Sequence, residues 1–313
     1  MYVGIDVGGT NLKAGLVDEA GRLLATRKIP LGMFQGEEYF VRKLAELTAQ
    51  VSRDGGAVPG ELEYVGMGIP GAVAEGDVLY TCNIPLQNVP IGKLFSQYLD
   101  VPVLLENDAN CAAVGEYFCG AGQGTKNFAV VTLGTGIGGG FILGGKLYAA
   151  SGMAGEVGHM VVEKGGVLCN CGRHGCWEAY ASATGLIRMT KEAMERDRES
   201  LLWEESKGGS AVSGRTAFAA ALRGDRTARS LCGTYVEYLA AGIVNLLNIL
   251  QPEVLAIGGG ISQAEDELLL TPLKEIVNRE SYAAHCGGKA TVVKAELGND
   301  AGMIGAALLK RAI

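Results

Sequence analysis

From His159 to Glu178 the chain reads HMVVEKGGVLCNCGRHGCWE, which places two imidazoles, His159 and His174, close to three thiols, Cys169, Cys171 and Cys176. The spacing H-x9-C-x-C-x4-C makes a closed Cys3His set, the donor type and number of a tetrahedral structural zinc site. The Gly-containing turn CGRHG lets Cys171 and Cys176 converge. His174 lies inside that turn and is an alternative fourth ligand. Two residues past Gly172 it would need a strained, tight chelate, so His159 ranks first. The competing reading, buried or redox-active thiols, lacks a C-x-x-C motif. Cys82, Cys111, Cys119, Cys232 and Cys286 are scattered and read as ordinary buried small residues.

Carboxylates and glycines supply a second kind of chemistry. DVGGTN sets Asp6 at a strand end before two glycines and a threonine, and LGTGIGGG repeats the device from Leu133. Such turns can bring backbone N–H groups against phosphate oxygens, with an Asp near a metal ion. No G-K-[ST] occurs, so neither is a Walker A loop. Neither fits a dinucleotide fingerprint, because each leads into another strand rather than a helix. A plain tight hairpin is the rival for either turn alone; two of them plus a later IGGGI favour phosphate. In ENDAN, residues 106–110, a carboxylate ends an apolar strand. Asn107 or Asp108 can be a helix N-cap, and a carboxylate there can also be a general base facing a substrate hydroxyl.

These groups need a frame. YVGIDV, LKAGLVD and RLLATRKI read as strands joined by tight turns, and Phe40, Val41, Leu44, Leu47 and Val51 mark a helix over about 37–51. EYVGMGIPG and VPVLLEND read as buried strands, and ANCAAVGEYF as a helix. A second unit opens in the same way. NFAVVTL is a strand, GTGIGGG a glycine turn, and FILGGKLYAA resumes strand character. Helices follow over about 184–198 and 227–250. EVLAIGGGI is a strand, a helix spans about 264–279, KATVVKA is a strand and NDAGMIGAALLKRAI a terminal helix. EESKGGSAVSG reads as a mobile loop. The plan is α/β and repeats, which suggests a cleft between two units.

Composition sets the outer bounds. The chain has 313 residues, 48 of them glycine, and a net charge of −7 without a basic run. That disfavours nucleic acid or an anionic membrane as the main partner. MYVGIDVGGT lacks the regions of a signal peptide, and YLAAGIVNLLNIL is too short and too polar to span a bilayer. A cytoplasmic setting is expected, where clustered thiols are metal ligands rather than disulfides.

Taken together, DVGGTNLKAG, GIPGAV, CNIP, ENDANCAAVGE, TLGTGIGGG, GEVGH, CNCGRHGCWE and AIGGGI resemble, in order and along the whole chain, the ROK family (repressor, open reading frame, kinase) of sugar kinases and repressors. The resemblance implies the actin-like ATPase fold, ribonuclease H-like domains duplicated around a cleft. The domains would be 1–118 plus 301–313, and 119–300 with the zinc loop. It implies that Asp108 takes the proton of a sugar 6-hydroxyl. Gly71, Asn83, Asn107, Glu156, His159 and Glu178 would complete the sugar site. Gly8, Gly9, Thr10, Lys13, Gly134, Thr135 and Gly136 would hold ATP phosphates, Asp6 the Mg2+ through water, and Gly259 and Gly260 the adenosine side. The zinc would pin a sugar-contacting imidazole and place Glu178 just after its last ligand.

The expected activity is ATP-dependent phosphorylation of a hexose, with glucose as the first choice. N-acetylmannosamine, N-acetylglucosamine, allose and fructose are alternatives. A sugar-sensing regulator is less favoured, because the phosphate-loop strand begins at Tyr2 and leaves no room for a helix-turn-helix. Kinases of the family are often dimers or tetramers, so a homo-oligomer is expected.

Overall fold

The computed structural model describes residues 1–74, 76–81, 84–150, 152–288 and 291–313. Strands β1 (Tyr2–Val7), β2 (Asn11–Val17) and β3 (Leu23–Pro30) lead into helix α1 (Glu37–Asp54). Next come β4 (Tyr64–Ile69), β5 (Ala72–Ala74), β6 (Asp77–Tyr80), β7 (Gln87–Val89), α2 (Ile91–Phe95), β8 (Val103–Asn107) and α3 (Asp108–Cys119). The chain continues through β9 (Phe128–Leu133), β10 (Ile137–Leu143), β11 (Lys146–Leu147), α4 (Glu178–Ala181), α5 (Ala183–Arg196), α6 (Leu202–Glu205) and α7 (Thr216–Leu222). It ends with α8 (Arg226–Leu250), β12 (Val254–Gly258), α9 (Leu270–Glu280), β13 (Thr291–Lys294) and α10 (Ala301–Leu308). Two compact units result, one of residues 1–130, 140–155 and 296–313, the other of 131–139 and 156–295.

The two five-stranded sheets have the orders β3-β2-β1-β4-β8 and β11-β10-β9-β12-β13. Each therefore places its first three strands as a meander and adds two more beyond the first. β1 pairs antiparallel with β2 and parallel with β4, and β12 pairs parallel with β13. The repeated plan read from the glycine turns is thus a repeated topology. β5, β6 and β7 form a separate small sheet.

The expected stripe of α1, Phe40, Val41, Leu44, Leu47 and Val51, is buried in one core with Val3, Ile5, Leu12 and Met67. Helix α10 packs on β1, β4 and α3, and glycines make this approach possible. A Cβ at Gly4 would lie 1.8 Å from the Met303 carbonyl oxygen, and one at Gly66 1.8 Å from that of Ala306. At Gly305 a Cβ would meet the Cys111 oxygen at 1.7 Å. Part of the glycine excess therefore serves backbone-to-backbone packing rather than ligand binding.

Several expectations need correction. The glycine turn after β9 is short, because residues 137–140 already belong to β10; glycine signals a turn in sequence but also fits a strand where backbone packs closely, as a Cβ at Gly140 would lie 2.6 Å from the Ala109 oxygen. The helix expected over 264–279 begins at Leu270, preceded by turns over 265–269. Pro272 explains the late start, since proline is accepted in a first turn but not in a helix interior. The stretch 204–214 is tied down rather than free. Ser206 is fully buried, donates to the Leu202 oxygen at 2.6 Å and accepts from the Gly209 N–H at 3.1 Å. Cys286 is exposed, not buried, and Cys119 only partly buried. Cys82 lies outside the described residues. Helix α8 as a whole is 25 residues, long and apolar enough by composition to cross a membrane. Its apolar face, including Leu239, Ile243, Leu246 and Leu247, is instead buried within its unit.

Candidate active site

In the first unit, β1 delivers Asp6 and the following turn closes by a Gly8 N–H bond to the Asn11 oxygen at 2.9 Å. Gly9 and Thr10 are exposed beside it. Burial pushes the Asp6 carboxyl up to about 6; the negative charge of Asp108 adds to this, and Lys13 opposes it. Lys13 faces Asp6 in the register of β1 and β2. Its ammonium donates to the Asn299 oxygen at 2.9 Å and pairs with the Asp300 carboxylate.

The corner between β8 and α3 is built by hydrogen bonds. Asn107, not Asp108, is the N-cap: its Oδ1 accepts from the N–H groups of Ala109 (2.8 Å) and Asn110 (3.3 Å). Its Nδ2 donates to the Gly71 oxygen at 3.1 Å, which joins two residues expected at the sugar. Asp108 is the first helical residue and accepts from the Ala109 N–H at 2.9 Å. Burial nonetheless raises its carboxyl above the usual range. Glu106, unremarked in the sequence, is buried and accepts from the Asn107 N–H (2.8 Å) and Asn110 Nδ2 (2.9 Å). Asn83 lies outside the described residues.

In the second unit, the turn Gly134–Gly136 closes by a Gly134 N–H bond to the Gly136 oxygen at 3.0 Å. Glu178 opens α4 and accepts from the Ile137 N–H at 2.9 Å. A Cβ at Gly136 would sit 2.2 Å from its Oε2, so the phosphate-type turn and Glu178 are packed together. At the other glycine cluster, Gly259 (φ +84°) lies against the β9 backbone, where a Cβ would be 2.5 Å from the Leu133 oxygen. Gly260 lines a cavity of about 300 Å3 with Arg215, Phe218, Leu222, Ile261 and Gln263. That volume suits a nucleoside. Arg215, Phe218 and Leu222 carry no sequence signal, because they reach Gly260 from a distant helix. A larger cavity, about 600 Å3 between α5 and α8, contains none of the expected residues.

The cysteine cluster assembles as the spacing suggests. One ligand atom from each of His159, Cys169, Cys171 and Cys176 lies within 4.8 Å of the others. Cys171 Sγ and Cys176 Sγ are 3.6 Å apart, and Cys169 Sγ is 3.7 Å from His159 Nδ1. Edges of roughly 3.5–3.8 Å are what Zn–S and Zn–N bonds of about 2.3 and 2.0 Å require in a tetrahedron. His174 does not join; its Nδ1 is 2.9 Å from the Gly166 oxygen. The other nitrogen of His159, Nε2, lies 3.9 Å from Glu156 Oε2, and Cys169 Sγ lies 3.9 Å from Glu178 Oε1. The cluster thus borders both carboxylates expected at the sugar. Trp177, between the last ligand and Glu178, is fully buried and donates from Nε1 to the Tyr238 oxygen at 2.8 Å. A Cβ at Gly242 would fall 2.0 Å from its ring, so α8 leaves a slot for this anchor.

Two sheets of one topology, each with a glycine turn after its first strand, and a strand-end Asp in the first, define an actin-like ATPase fold. The chain belongs to the ROK family, whose sequence pattern matches residues 2–313. It is 38% identical over 309 residues to a glucokinase of Halalkalibacterium halodurans, covering 97% of this chain and 93% of that one. It is 30% identical over 287 residues to a xylose repressor of Caldicellulosiruptor bescii, covering 90% and 71% respectively. Among solved structures, a ROK family glucokinase of Streptomyces griseus in complex with glucose and AMPPNP aligns with a TM-score of 0.84 and 36% identity, covering 98% of each chain.

Proposed function

We propose that this protein is an ATP-dependent hexose kinase that phosphorylates the 6-hydroxyl of glucose. The observation that carries the reading is Asp108: a carboxylate at the first position of α3, raised toward protonation by burial and flanked by the capping Asn107. A base with a raised pKa is a better proton acceptor once ionised. Asp108 takes the proton as the sugar 6-oxygen bonds to the terminal phosphorus of ATP and the bond from that phosphorus to the bridging oxygen breaks, with ADP as the leaving group. In the first unit Asn107 and Gly71 would contact the sugar, and in the second Glu156, His159 and Glu178 would bond to its hydroxyls. With the Gly8 and Gly134 N–H groups closing the turns, Gly9, Thr10, Thr135 and Gly136 would face the phosphates, and the cavity at Gly260 would take the adenosine. Phosphoryl transfer demands little more than such positioning and charge neutralisation.

Asp6, whose carboxyl suffers both burial and the Asp108 charge, would hold Mg2+; a divalent cation there would relieve that repulsion and neutralise phosphate charge. Zn2+ fits the Cys3His cluster, where it would fix the imidazole and the start of α4. The similarity to glucokinases at 36–38% identity supports glucose as substrate. The reading places the enzyme in the cytoplasm as a homo-oligomer, which light scattering would test.

A coupled assay with Mg-ATP and glucose, mannose, allose, fructose, N-acetylglucosamine and N-acetylmannosamine tests the function. Glucose should give the highest kcat/KM. A higher value for an acetamido sugar would change the substrate and keep the kinase; no turnover of any sugar would remove the kinase.

A further inference from the structure

We infer that Glu116 is a positioning residue for phosphoryl transfer, one whose buried carboxylate locks the helix bearing Asp108 to the segment that backs Asp6 and Lys13. The inference rests on the proposed role of Asp108.

Glu116 is fully buried in α3. Its Oε1 accepts from the Leu297 N–H at 2.7 Å. Its Oε2 accepts from the N–H groups of Ala121 and Glu296, each at 3.0 Å. Among the described residues no Lys, Arg or His forms an ion pair with it. A carboxylate removed from water without a counter-charge is costly, and an apolar side chain would fill the same volume more cheaply. What an apolar side chain cannot do is accept three backbone N–H bonds; two carboxylate oxygens can. Space is reserved for it as well, since a Cβ at Gly120 would lie 2.2 Å from Oε2.

The bonded segments lead to the chemistry from both sides. Along α3 the helix runs back from Glu116 to Asp108. From Leu297 the chain enters the turn Gly298–Asp300, where the Asn299 oxygen and the Asp300 carboxylate engage Lys13. Two residues on, Gly302 lies against Asp6: a Cβ there would be 3.4 Å from its carboxyl carbon. One carboxylate therefore sets the placement of the base relative to the residues that face the metal and phosphates. Transfer is sensitive to such placement, and a displacement of about 1 Å can cost on the order of 100-fold in rate.

Glu116→Gln tests this. The amide keeps one acceptor oxygen and turns an NH2 toward an N–H donor. Measured where circular dichroism shows the variant fully folded, kcat should fall roughly tenfold and half-saturation by Mg2+ should move to higher concentration, with KM for glucose within about twofold. Glu116→Asp, which keeps the charge and both oxygens, should recover part of kcat. Leu246→Ala, in the core of the second unit, should lower stability yet leave kcat and the Mg2+ dependence unchanged. If Glu116→Gln does not fold, Leu297→Pro decides: Leu297 has φ −80°, which a proline ring accepts, and the change deletes the N–H held by Oε1. It should reproduce the kcat loss and the Mg2+ shift. Wild-type kcat and Mg2+ dependence in the folded variants would overturn the inference. An Asp108→Asn variant that keeps kcat would instead overturn the base on which it rests.

Discussion

Asp6 and Asp108 hold their carboxyls above the usual range, chiefly through burial, and for Asp6 also through the charge of Asp108. Asp108→Asn keeps the size and removes the proton acceptor, so kcat should fall by roughly 100-fold or more while the fold survives; steady-state kinetics with a thermal melt checks both. The base must be ionised, so activity is lost as pH falls through its pKa. With that pKa raised, the acid limb of kcat/KM should stand above the ordinary Asp value of about 3.9 and disappear in Asp108→Asn. For stability the sign runs the other way. A carboxyl moved from 3.8 to about 6 on folding binds protons more tightly in the folded state, so its contribution is present below pH ~4 and lost as pH rises to ~6. Asp6→Asn should therefore stabilise the metal-free protein at pH 7 by up to about 3 kcal/mol, from a shift of 3.8 to about 6, read by urea titration with EDTA, and abolish turnover in the coupled assay. Asp108 and Asn107 were legible because ENDAN sits at a strand end. Glu116 was not, because the donors at 296 and 297 are remote in sequence and an isolated Glu in a helix reads as surface.

At the scale of the element, the cysteine loop and α4 form one device. Isolated bridges pair Val161 with Cys176 and Leu168 with His174, so the loop has only short ladders of its own. Burial pushes the Cys176 thiol up to about 12, whereas the Arg173 N–H holds Cys171 below its ordinary value. A cation that converts all three to thiolates would supply the missing cohesion. Elemental analysis of metal-replete protein should show one zinc per chain. Cys171→Ser should lower metal affinity by at least about tenfold, lower the melting temperature and raise KM for glucose, because Glu178 follows the last ligand by two residues. Folded, active protein without zinc would remove the site. The convergence of the three thiols with one imidazole was readable from the spacing. The strain of a tight chelate ranks His159 above His174, and the Gly166 oxygen 2.9 Å from His174 Nδ1 agrees with that order; the late start of α9 follows from Pro272 in its first turn.

For the whole molecule, the doubling of one sheet topology was legible as two glycine turns, each following a strand. The seat of α10 was not, because close packing by glycine looks the same in sequence as a ligand-binding turn. Gly305→Ala would drive a Cβ into the Cys111 carbonyl at 1.7 Å and should cost about 3 kcal/mol or more, since backbone on both sides must move; urea unfolding measures it. The same seat has a consequence for the order in which the chain is made. α10 completes the core of the first unit through Met303, Ile304 and Ala307, and the Tyr64 hydroxyl donates to the Ala307 oxygen, yet these residues leave the ribosome only after the whole of the second unit. Until then β1 and β4 present a bare glycine-floored groove. The earliest strands to be synthesised are thus among the last to be covered, and surface exposed for that long during folding is the kind that invites aggregation.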